Sequence, residues 1–164
     1  MKAKNIAAFG VYVALAMIFS YIELQIPPLV AIPGIKLGLP NVVIIIALYK
    51  FGWKEAIVIN VLRVLLVSVL FGTVLSLLYS VAGAILSLFV MIILKKSKIF
   101  STVLVSVFGA ISHNIGQITV AIFVLETSEL LYYLPVLLIT GTISGLLLGL
   151  IGATVVKKLD NIKI

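Results

Sequence analysis

The sequence predicts an all-α membrane protein of six transmembrane helices with both termini on the cytoplasmic side. Three observations predict it. Hydrophobic residues make up 63% of the 164-residue chain and charged residues only 10%, where a soluble domain carries roughly a quarter charged residues. Several apolar runs exceed about 18 residues, the length that marks a spanning helix. The lysines gather in short clusters between those runs, and on one side of the predicted membrane. The net charge of +7 is thus a signature of orientation in a lipid bilayer and not of nucleic-acid binding. One integral membrane domain, residues 1–164, in the cell (plasma or inner) membrane is expected. The chain contains no cysteine, which excludes disulfides, thiol nucleophiles and cysteine-based metal sites. The first apolar run ends in Glu23 and Gln25 and not in small residues, so a spanning helix is expected there and not a cleaved signal peptide.

The first helix is predicted from about Asn5 to Leu24. Ala3 and Ala7, then Gly10 and Ala14, recur on it at helical spacing. Such patterns allow close helix approach, either within this chain or to a partner membrane protein. The next stretch, Pro33–Asn41, reads P-G-I-K-L-G-L-P-N. Proline lacks a backbone donor and glycine has little helical preference, so the stretch breaks the helical pattern. Irregular backbone near membrane depth persists only where protein buries it or where it lines a wet cavity. It reads as the rim or lid of a binding site. The second helix, Leu39 to Phe51, is about 20 Å long at 1.5 Å per residue, too short for the ~30 Å hydrocarbon core. Short or interrupted spans point to transport-type sites.

Lys50–Glu55 is a turn with Trp53 at interfacial depth. The third helix, Ala56 to Phe71, carries Asn60 and Arg63, and Gly72–Thr73 turn the chain into the fourth, Val74 to Leu94. There Ser76, Ser80, Gly83 and Ser87 form one small, polar stripe. After Lys95, Lys96 and Lys98 the fifth helix runs from Ile99 to Leu125 with S-H-N-I-G-Q at its centre. An acidic loop, Glu126–Glu129, leads to the sixth, Leu130 to Val156, whose Gly141, Gly145 and Gly149 form a close-packing face. With the termini in the cytoplasm, Lys2, Lys4, Lys50, Lys54, Lys95, Lys96, Lys98, Lys157, Lys158 and Lys163 fall inside and Lys36 alone outside, as the positive-inside rule requires.

The candidate binding residues follow from cost. A central Arg costs about 2.5–3.5 kcal/mol on insertion scales, and Arg63 stays charged, so it needs anions or carbonyls around it. Asn60 shares its face. His113 and Gln117 share a face of the fifth helix, with Asn114 beside them, while Lys36 and Asn41 bracket the break before the second helix. Lys36, Arg63 and His113 are cationic or potentially so, and Asn41, Asn60, Asn114 and Gln117 are neutral donors. Such a set suits an anionic ligand bearing phosphate or carboxylate. Glu23 is a candidate partner for Lys36 or Arg63. No carboxylate pair for Mg²⁺ lies within a helix, and a single histidine makes no metal site. No G-xxxx-G-K-[ST] loop is present, so ATP enters only through partner subunits. No intramembrane carboxylate is expected to couple a proton or sodium ion.

Three motifs in order, G-I-K-L-G-L-P-N (34–41), R-V-L-L-V-S-V-L-F-G-T (63–73) and G-A-I-S-H-N-I-G-Q (109–117), resemble the small membrane proteins called heptaprenyl diphosphate synthase component I, or Gx transporter family proteins. The resemblance covers essentially the whole chain. The plan is similar to the substrate-binding S components of energy-coupling factor (ECF) transporters. It implies a six-helix bundle, an outward-facing pocket under a first-loop lid, and docking of first-helix small residues, here Ala3, Ala7, Gly10 and Ala14, onto a transmembrane T subunit powered by two ATPase subunits. Prenyl diphosphate synthases resemble one another in aspartate-rich Mg²⁺ sites, whereas this chain has only Asp160, so the expectation is a non-enzyme. The expected function is uptake of a small anionic or amphipathic molecule such as a vitamin, quinone or isoprenoid precursor. The alternative is a non-catalytic membrane accessory subunit of prenyl diphosphate or quinone synthesis.

Overall fold

The computed structural model of the chain describes residues 3–26 and 38–161, and side chains from residue 7 onward. Lys36 and the first part of the Pro33–Asn41 stretch therefore lie outside the described residues, as does the side chain of Ala3. The described chain is helical throughout: α1 (Ala3–Gln25), α2 (Asn41–Lys50), α3 (Trp53–Phe71), α4 (Val74–Ser97), α5 (Thr102–Leu125), a 3-10 turn (Ser128–Tyr133) and α6 (Leu134–Asn161).

Each boundary has a local cause. Gly52 sits at φ +117°, where side-chain-bearing residues rarely go, and lets α2 turn directly into α3. Helix α3 starts earlier than expected because Glu55 favours its first turn, where backbone N–H groups are unpaired. Thr73 caps α4, its hydroxyl accepting from the Ser76 N–H at 3.1 Å. Lys95 and Lys96 carry α4 on to Ser97, because cations suit a helix C-terminus. Ser101 caps α5 in the same way through the Leu104 N–H, which moves its start from Ile99 to Thr102. The acidic loop folds into the 3-10 turn, and α6 begins only at Leu134, with Pro135 in a first turn that has no use for its missing N–H.

Four segments are long and apolar enough to cross a membrane: Ala7–Gln25, Val74–Ser97, Thr102–Leu125 and Ser128–Asn161. This is the pattern of a membrane protein. Two of the six expected spans fall outside this set. Helix α2 has 10 residues, about 15 Å at 1.5 Å per residue, half the hydrocarbon thickness. Helix α3 has 19 residues, but Lys54, Glu55 and Arg63 interrupt its apolar run.

Helix α2 is the axis of the fold. Its sequence N-V-V-I-I-I-A-L-Y-K is apolar on every side, and Asn41 through Leu48 are all buried, as an all-round hydrophobic helix must be. It touches each of the other α-helices, and α1, α3, α4, α5 and α6 follow one another in an arc around it. Ile44, Ile45 and Leu48 pack with Ala16, Ile59, Met91, Val105 and Leu148 in one apolar cluster. Tyr79, Ile118, Ala121, Leu130 and Leu137 form a second. Along both α4 and α5 the buried polar residues lie between these two clusters.

The glycines of α6 pack as their spacing predicts. A Cβ at Gly145 would stand 2.7 Å from the Val107 Cα, and one at Gly149 would stand 3.0 Å from the Val103 Cα, so α6 lies against the backbone of α5. The small residues of α1 behave in the opposite way. Ala7, Gly10 and Ala14 are exposed, and a Cβ at Gly10 would meet nothing within 4 Å.

At the lysine-rich end, Lys50 pairs with Asp160 and ties α2 to the end of α6. The Lys95 ammonium donates to the Leu48 carbonyl and lies 4.9 Å from the Tyr49 ring centroid, closing the C-terminus of α2. Asp160 is 65% exposed, so water screens its pair. Asp160→Asn is expected to cost no more than about 1 kcal/mol, a marginal shift in thermal unfolding in detergent.

Candidate functional site

The buried polar side chains form one band through the bundle. Glu23, Asn41, Asn60, Arg63, His113, Asn114 and Gln117 are all less than a tenth exposed. Burying such groups in hydrocarbon costs several kcal/mol unless they find partners, so their partners define the site.

Glu23 projects from the last turns of α1, and its carboxylate accepts the backbone N–H groups of Gly38 and Leu39. This fixes the chain where it enters α2. Gly38 has φ +85°, which favours glycine. A Cβ there would lie 2.8 Å from the Asn41 amide nitrogen and 3.7 Å from His113 Cδ2. The entry to α2 is thus folded down onto α5.

Arg63, on α3, donates through Nη2 to the Asn60 Oδ1 at 2.7 Å. Asn60 in turn donates to the Ala84 carbonyl on α4 at 3.3 Å. Glu23 attracts Arg63 electrostatically. Gly83, next to Ala84, makes room on the other side of α4: a Cβ there would stand 2.9 Å from His113 Cε1 and from Gln117 Cγ. The site therefore has α4 at its centre, with Asn60 and Arg63 on one flank and His113 and Gln117 on the other. Gly38 and Asn41 close one end.

Asn114 does not join this group. Its amide nitrogen donates to the Leu137 carbonyl at 2.7 Å, and a Cβ at Gly141 would stand 2.8 Å from it. Asn114 fastens α5 to α6.

Sequence reasoning named Glu23 as a candidate partner for Lys36 or Arg63 but kept it out of the binding set and expected no intramembrane carboxylate for ion coupling. Glu23 lies within a span-length helix, is 6% exposed and interacts electrostatically with Arg63. Its place at the end of an apolar run reads equally well as an interfacial acid, so the sequence alone carried no decisive signal. Its burial alters the electrostatics. Glu23 offsets Arg63, and the described part of the site is closer to neutral than a set of cations suggests.

The site still holds buried donors that meet no acceptor. Among the described residues, the Asn41 amide nitrogen and the Arg63 Nε are buried with no hydrogen-bond acceptor. A buried donor left unmade costs about 1–3 kcal/mol, which an acceptor reaching either atom would recover. The described geometry offers directed donors.

The sequence profile of the family described as Heptaprenyl diphosphate synthase component I matches residues 12–155. No curated protein and no solved structure matches the chain significantly.

Proposed function

We propose that this chain, which belongs to the heptaprenyl diphosphate synthase component I family, is a non-catalytic membrane component that binds a small polar or amphipathic molecule and passes it on with the help of partner subunits. The observation that carries the reading is the pair of buried donors without acceptors, Asn41 Nδ2 and Arg63 Nε. Asn41, Asn60, Arg63, His113 and Gln117 contact the ligand, Lys36 from the first loop gates it, and Asn114 holds α5 in register. The protein lies multi-pass in the cell membrane with both termini in the cytoplasm. That orientation puts the lysine-rich ends of α2, α3 and α4 inside and the first loop outside. Helix α2 reaches only half-way, so the site sits below the outer surface. The ligand is a small anionic or amphipathic molecule such as a vitamin, quinone or isoprenoid precursor, taken up from outside.

The partners are an ECF-type T subunit and its ATPase subunits, docking on α1. Support comes from the contrast between the exposed Ala7, Gly10 and Ala14 of α1 and the glycines of α6, which are used internally. Changing Gly10 and Ala14 together to Leu is expected to leave thermal stability within about 0.5 kcal/mol, as for surface positions, and to abolish assembly with the partner membrane subunit. Assembly that survives both changes ends the docking assignment.

The family description favours a second reading, an accessory subunit of prenyl diphosphate synthesis that binds a diphosphate without transferring it. Native mass spectrometry of the protein gently extracted from its own membrane separates the two. A retained ligand with T-type and ATPase subunits supports uptake. A prenyl-transferring enzyme without ATPase supports the accessory role.

A further inference from the structure

A groove of about 460 Å³ opens between α3 and α4 on the outer surface of the bundle. Val61, Ile85 and Phe89 line it and are half exposed or more, so it faces the lipid-accessible side. Asn60 is its one polar side chain, and the Asn60 amide is already engaged by Arg63 and the Ala84 carbonyl. Its lining runs from Ile57 to Leu65 on α3 and from Val81 to Ile92 on α4, about two to three helical turns, a long apolar shape that suits a hydrocarbon chain.

The groove has a chemically distinct end. Ile57 and Ile92 line it there, and each lies one helical turn from a charged residue: Ile57 from Trp53 and Lys54, Ile92 from Lys96. The Lys54 and Lys96 ammonium groups stand 5.5 Å and 5.8 Å from the Trp53 ring centroid. Two cations from two helices thus lie near one indole ring. Among the described residues neither is in an ion pair. An anionic head group at this end of the groove would gain charge-assisted hydrogen bonds from either ammonium.

We propose that this groove binds a single-chain amphiphile with a phosphate head, the chain lying between α3 and α4 and the head held by Lys54 and Lys96 beside Trp53. The site shares only Asn60 with the buried polar band and does not rest on the function proposed above. It admits its ligand sideways from the lysine-rich leaflet.

Trp53 is the sole tryptophan, so its fluorescence reports on this site alone. The protein is placed in nanodiscs of zwitterionic phosphatidylcholine and titrated with dodecyl phosphate brominated near the head. The matching brominated dodecanol is the comparison. The expected result is saturable quenching at least tenfold tighter for the phosphate. Lys54→Gln with Lys96→Gln, both exposed positions, is expected to remove that preference. Val61→Phe, which fills the groove from a half-exposed position, is expected to weaken both probes at least fivefold. Equal affinity for phosphate and alcohol, or quenching indifferent to Val61→Phe, overturns the proposal. Full displacement of the probe by phosphatidylglycerol in the disc assigns the groove to bulk lipid and also overturns it. A dimer in native mass spectrometry that Val61→Phe dissociates assigns the groove to a second copy instead.

Discussion

Arg63→Ala is expected to destabilise the protein by about 3–5 kcal/mol, the cost of removing one partner from a buried charge pair. The change strands two groups at once. The Asn60 Oδ1 loses its donor, and Glu23 loses the cation that offsets it, while the Asn60 bond to the Ala84 carbonyl on α4 remains. Glu23→Gln should cost less, because a glutamine oxygen still accepts from the Gly38 and Leu39 N–H groups. The double variant Arg63→Ala with Glu23→Gln is expected to be less destabilised than the sum of the two single changes, since no uncompensated charge remains. Thermal or steric-trap unfolding of the four proteins measures this directly. Strict additivity would mean that the two charges do not interact. The same set addresses ligand recognition. A folded Arg63→Ala protein that keeps full affinity for its ligand makes Arg63 purely structural and moves the pocket elsewhere.

Gly116→Val is expected to be comparably damaging for a steric reason. A Cβ at Gly116 would lie 2.8 Å from the Ala82 carbonyl oxygen and 3.0 Å from the Gly83 Cα. Both are backbone atoms of α4, so no side chain can swing aside. The helices must separate, and overpacking of this kind costs about 1–3 kcal/mol or more. Separation of α4 from α5 also draws Gly83 away from His113 and Gln117, so ligand binding should fall together with stability. Gly10→Val supplies the control. It adds the same side chain where nothing lies within 4 Å, and its unfolding should match the unsubstituted protein. Equal stability of the Gly116 and Gly10 variants would mean that α4 and α5 do not meet at this contact.

The amino-acid sequence by itself determined the helices, their order and their approximate ends. Apolar runs separated by lysine clusters, prolines and glycines leave little choice, because a backbone in lipid must satisfy its hydrogen bonds internally. It also determined which polar residues are costly enough to be buried. Asn60, Arg63, His113 and Gln117 were legible as interior groups from charge and spacing alone, and the shortness of α2 was legible from Gly38, Pro40 and Lys50.

What each face meets was decided only by the tertiary structure. Small residues every fourth position mark a face on α1 and a face on α6 alike. Packing against α5 covers the second, while α1 turns Gly10 and Ala14 outward. Spacing likewise places Asn114 beside His113, yet neighbours in sequence on a helix point about 100° apart, and Asn114 faces α6. The role of Glu23 was the least legible. A carboxylate at the end of an apolar run is indifferent in sequence between water and protein. The folded chain decides the matter by bringing Gly38, Leu39 and Arg63, all distant along the sequence, close enough to offset the cost of burying a charge.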